Sequence, residues 1–66
     1  MGEKLKNLRK TLRMSQEELA EQAGVSRQTI SAIEAGMTSS VRTGTLEAIA
    51  KAVGVSVSYF FTDDVS

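Results

Sequence analysis

The acids that cluster in this sequence are Glu17, Glu18 and Glu21. General acid–base or metal chemistry would need a base or further ligands beside them. The chain has no histidine and no cysteine, which removes a Ser-His-Asp triad, a thiolate nucleophile, any disulfide and any Cys- or His-ligated zinc. No glycine-rich phosphate loop is present, so no catalytic residue, cofactor or metal site is expected, and the three acids read as an exposed helix face. At 66 residues the chain is a single domain over 1–66, near the lower size for a self-sufficient core.

Eight Lys and Arg balance eight Asp and Glu, but unevenly along the chain. Residues 1–13 carry Lys4, Lys6, Arg9, Lys10 and Arg13 against Glu3, whereas residues 14–35 carry Arg27 against Glu17, Glu18, Glu21 and Glu34. A global basic excess, the usual footprint of nucleic-acid binding, is therefore missing. The basic first segment is accounted for equally well as a solvated helix face. Apolar runs reach only two or three residues, and residues 1–10 have no apolar core of a secretory signal, so neither a membrane span nor a leader is expected. The lack of cysteine fits a reducing cytosol.

Apolar residues at helical spacing show what positions these groups. Leu5, Leu8 and Leu12 form a first stripe ending near Arg13. Leu19, Ala20 and Ala23 form a second, stopped by Gly24; Ile30 and Ile33 a third, stopped by Gly36; Leu46, Ile49, Ala50 and Val53 a fourth, stopped by Gly54. A fifth, short helix is predicted from about Val57 to Phe61. Ser15, Ser26 and Ser56 occupy the slots where a hydroxyl can accept from free helix N–H groups, and Glu18 completes a capping box with Ser15. The pairs Met14/Leu19, Val25/Ile30 and Val55/Phe60 repeat the hydrophobic staple at all three starts. MTSSVRTG, residues 37–44, reads as a polar loop, and residues 62–66 as a fraying tail.

Residues 16–35 combine a small Ala20, a turn glycine at Gly24, the plug Val25 and the β-branched anchors Ile30 and Ile33. Together they make two helices joined by a three-residue turn. QEELAEQAGVSRQTISAIEAG resembles the helix-turn-helix of the Cro and phage-repressor family, also called the xenobiotic-response-element type. LKNLRKTLRMS resembles the first helix of that family, and TLEAIAKAVGVSVSYFF its fourth and fifth, so residues 4–61 are covered. The fold implied is all-α: a compact five-helix lambda-repressor-like DNA-binding domain, with the motif at helices 2 and 3.

The resemblance implies that helix 27–35 enters the major groove of double-stranded DNA with Arg27, Gln28, Ser31 and Ala32 at base edges. Arg can bond guanine O6 and N7, Gln can pair with adenine, and Ala can meet a thymine methyl. Without the resemblance, base reading is still favoured over the alternative that Arg27 and Gln28 are simply polar residues of a first helical turn, where the helix dipole slightly disfavours Arg. Expected phosphate contacts are Gln16 at the start of helix 2, Thr29, and Thr38, Ser40, Arg42 and Thr43 in or near the loop. Arg9 and Glu34 are implied to form a structural salt bridge between helices 1 and 3. The loop lacks the proline and extra basic residues common in the family, and Gly44 falls near the start of helix 4.

Family members typically dimerise on palindromic operators. Val57, Tyr59, Phe60 and Phe61 crowd one short element. Phe60 is expected to enter the core, with Val57 and Phe61 turned toward a second copy; the competing reading closes the monomer core with the whole cluster. The function implied is a homodimeric, sequence-specific transcriptional regulator, as a repressor, bacterial or phage-encoded and cytoplasmic, with no small-molecule ligand. The alternative is a protein-interaction module on the same scaffold, such as an antitoxin, which the acidic second helix would suit. A third reading is the DNA-binding head of a longer regulator.

Overall fold

Each helix begins and ends where short-range hydrogen bonds can satisfy its free backbone groups. A computed structural model describes residues 1–37 and 41–61. It contains α1 (Gly2–Thr11), α2 (Gln16–Ala23), α3 (Arg27–Glu34), α4 (Thr43–Val53) and a 3-10 helix (Val57–Phe61). The Ser15 hydroxyl accepts from the Glu18 N–H at 3.0 Å while the Ser15 N–H donates to Glu18 Oε1 at 2.8 Å, a complete capping box. The Ser26 hydroxyl accepts from the Thr29 N–H at 3.1 Å. Each such cap contributes about 1 kcal/mol. Ser56 does otherwise, its hydroxyl lying 3.0 Å from that of Ser58.

The expectation of five helices is corrected here: among the described residues there are four α-helices, and the fifth element is 3-10. Five residues hold at most a turn and a half, and Val, Tyr and Phe are weak helix formers. The tighter winding, with the Tyr59 N–H donating to Ser56 O at 3.1 Å, still carries Phe60 into the core at 3 % exposure. Helix α1 also stops earlier than its stripe suggests. Leu12 is 45 % exposed, because the chain leaves the helix after Thr11 and reverses through Arg13 at φ +59°. The Met14 N–H then reaches back to Arg9 O at 3.0 Å. Gly24 performs the same reversal at φ +72° without a Cβ penalty.

The core gathers Leu5, Leu19, Ile30, Ile33 and Ile49, all fully buried, with Ala20, Ala50, Val53 and Phe60 around them. Burying each of the five large side chains contributes about 1.5–3 kcal/mol. Met14, Val25 and Val55, the outer halves of the staples, pack partly buried against this core. Helix α2 is central, packing on both α3 and α4, while α1 lies on α3 and the 3-10 helix on α4. At the start of α1, a Cβ on Gly2 would stand 2.5 Å from Ile33 O and 2.9 Å from Glu34 O. Only glycine lets α1 begin this close to the end of α3. Sequence spacing contains no sign of that contact.

Candidate nucleic-acid interface

Helix α3 is pinned by Ile30 and Ile33, both fully buried, and helical geometry then dictates its outer face. Arg27, Gln28 and Ser31 are exposed and Ala32 is half-buried. Thr29 is half-buried as well, with its hydroxyl 2.9 Å from the Ser26 hydroxyl inside the N-cap.

The outer face of α3 forms one wall of an open cavity of about 370 Å³. Ser26, Gln28, Thr29 and Ala32 line that wall, and Met37, Val41, Arg42 and Thr45 line the other. The structure thus brings Gln28, Ala32 and Arg42 to one concave surface, whereas Arg27 and Ser31 lie outside its lining. Arg42 precedes α4 without capping it by its side chain, and Thr43 is the exposed first residue of that helix. Thr38 and Ser40 lie outside the described residues. Met37, Val41 and Thr45 are surface-lining residues that sequence reasoning missed. Met37 is 64 % exposed, and an apolar residue beyond a helix stop follows no period that would have singled it out.

Behind the motif, Arg9 of α1 meets Glu34 of α3 through two parallel bonds, Nε to Oε2 at 2.7 Å and Nη2 to Oε1 at 3.1 Å. Their side chains are only 11 % and 5 % exposed. The third guanidinium nitrogen, Nη1, donates to Met14 O at 2.8 Å. Gln16 joins the network, its Nε2 donating to Glu34 Oε1 at 3.0 Å. Burial pushes the Glu34 carboxyl upward, but the bonds from Arg9 and Gln16 and the charges of Arg9 and Lys6 outweigh it and hold the group below its ordinary value. The hydrogen bond to Glu34 raises the Arg9 guanidinium further above its already high value.

At the opposite end, Val57 packs half-buried against the core, while Tyr59 and Phe61 are 41 % and 61 % exposed. The Lys4 ammonium donates to Tyr59 O at 3.2 Å and lies 5.1 Å from the centre of its ring. Among the described residues, no group of three or more acids is placed to hold a metal ion, and no helix is long and apolar enough to cross a membrane.

The sequence profile of the helix-turn-helix family, of the Cro and phage-repressor type, matches residues 5–60. No curated protein sequence matches the chain. Among solved structures, a chain of the SinR protein/SinI protein complex superposes with a TM-score of 0.87 at 31 % identity, covering 97 % of this chain. This chain spans 62 % of that one, so the likeness concerns part of the longer molecule. A profile match from the first core leucine to the last core phenylalanine, on a backbone that superposes on this solved structure, places the chain in the helix-turn-helix family of the Cro and phage-repressor type.

Proposed function

We propose that the chain is a sequence-specific regulator acting as a homodimer on palindromic duplex DNA, as a repressor in the cytoplasm, with residues 1–66 forming one DNA-binding domain. The observation that carries this reading is the outer face of α3, where Gln28 and Ala32 share one concave surface with Arg42 across from them. A helix held rigidly from behind by Ile30 and Ile33 presents such a face to the major groove. Arg27, Gln28, Ser31 and Ala32 then read bases. Gln16, Thr29, Arg42 and Thr43, with Thr38 and Ser40 of the loop, hold phosphates on either side. Two copies meeting through Val57 and Phe61 supply two half-sites, which a protein without net positive charge needs for operator affinity.

Selection of bound duplexes from a random pool tests the reading, with a palindromic consensus expected. The double variant Arg27→Ala/Gln28→Ala should stay folded, both side chains being exposed, and should lose the consensus preference by about 1–3 kcal/mol per base position read. An unchanged preference in that variant sinks the base-reading assignment. A second reading, capture of a protein partner, has the exposed Tyr59 and Phe61 in its favour. It predicts weak DNA binding with little salt dependence, in place of a steep negative slope.

A further inference from the structure

We propose that Glu34, clamped by Arg9, is the positioning residue for the Gln16 side-chain amide, orienting it to donate one N–H to a DNA phosphate. This rests on the assignment of Gln16 to a phosphate made above. An ionised carboxylate only accepts hydrogen bonds, so the NH₂ end of the Gln16 amide must face Glu34, as the 3.0 Å contact from Nε2 to Oε1 records. That choice settles the orientation of an amide that could otherwise turn either way. The carbonyl oxygen, which would repel a phosphate, is directed away from Glu34. One N–H is taken by Glu34, and the second has no protein partner among the described residues.

The orientation is only as firm as the carboxylate that sets it, and that carboxylate cannot turn. Arg9 holds both of its oxygens at 2.7 and 3.1 Å, and Arg9 is itself anchored on Met14 O at 2.8 Å. Glu34 therefore ties the far end of α3 to the first residue of α2. The amide is ordered before DNA arrives, so binding does not bear the loss of its rotamer freedom. A purely structural salt bridge would stabilise the fold and leave affinity for DNA untouched.

The test uses the full 66-residue chain and the consensus duplex from the random selection, with affinity read by fluorescence anisotropy over a range of KCl concentrations. Three variants are compared with the parent: Gln16→Ala, the paired Arg9→Met/Glu34→Leu, and all three changes together. The paired variant removes one charge of each sign and replaces a buried ion pair with apolar bulk, a change proteins often tolerate. We expect Gln16→Ala and the paired variant each to weaken binding about tenfold, and the triple variant to lose nothing more. Base preference and salt slope should stay at parental values, because a neutral donor releases no counterion. If the folded paired variant binds like the parent while Gln16→Ala is weakened, positioning is refuted and the phosphate assignment stands. Losses that multiply in the triple variant refute it too. A Gln16→Ala variant that binds like the parent overturns the phosphate assignment and the proposal together. Should the paired variant not fold, side-chain amide NMR of the parent chain decides. One Gln16 amide proton should shift on adding duplex while its twin stays; both or neither moving overturns the proposal.

Discussion

Each nitrogen of the Arg9 guanidinium has an oxygen partner, two on Glu34 and one on the Met14 carbonyl. A pair so nearly buried is costly to break from one side. Arg9→Ala strands the Glu34 carboxylate and should lower unfolding stability by on the order of 3–5 kcal/mol, read from urea midpoints. The pH dependence follows from the lowered Glu34 value. Protons bind this group more tightly in the unfolded chain, so acid favours unfolding. The stabilisation is complete above the ordinary carboxylate range and drains away as pH falls through the lower folded-state value. Thermal melts from neutral pH downward should show this loss in the parent and a flatter profile in Glu34→Gln. Equal profiles would mean that the carboxylate does not titrate differently on folding.

At the scale of the element, the four α-helices among the described residues end alike but at unequal cost. Gly24, Gly36 and Gly54 make the left-handed reversal in three of them, and Arg13 makes it after α1 at φ +59°. A side chain with a Cβ is strained there by about 1–2 kcal/mol, partly offset by the greater unfolded-state freedom of glycine. Arg13→Gly should therefore stabilise the domain by about 1 kcal/mol and raise the melting temperature by roughly 4–8 °C. A lower melting temperature would show that the exposed Arg13 side chain supplies more than its backbone strain removes. The C-terminal 3-10 helix obeys a different constraint. Its tight winding brings Phe60 inward and leaves Phe61 outward.

For the whole molecule the matter is association. Phe61 is 61 % exposed beside a 41 % exposed Tyr59, and a domain this small has little apolar surface to spare. Phe61→Glu should leave the helical circular dichroism intact, convert a sedimenting dimer to monomer and reduce operator affinity at least tenfold by uncoupling the half-sites. A parent chain that sediments as a monomer at micromolar concentration and still binds a palindrome tightly would overturn the dimer role of Val57 and Phe61. With no net charge, the domain cannot compensate through bulk phosphate attraction.

What the sequence determined by itself is whatever depends on neighbours within one or two helical turns. The stripes, the Ser15 capping box, the Ser26 cap and the stop at Gly24 all rest on contacts between residues at most five apart, so they are written in local spacing. The Arg9–Glu34 pair, 25 residues apart, was named through family resemblance and not through any period. Tertiary structure alone decided the rest. It joined Gln16 to Glu34 across 18 residues, set Gly2 against the Ile33 and Glu34 carbonyls, and carried Met37 and Val41 to the cavity beside α3. Such contacts form only when α1, α2 and α3 dock, and a contact made by docking leaves no repeat along the chain.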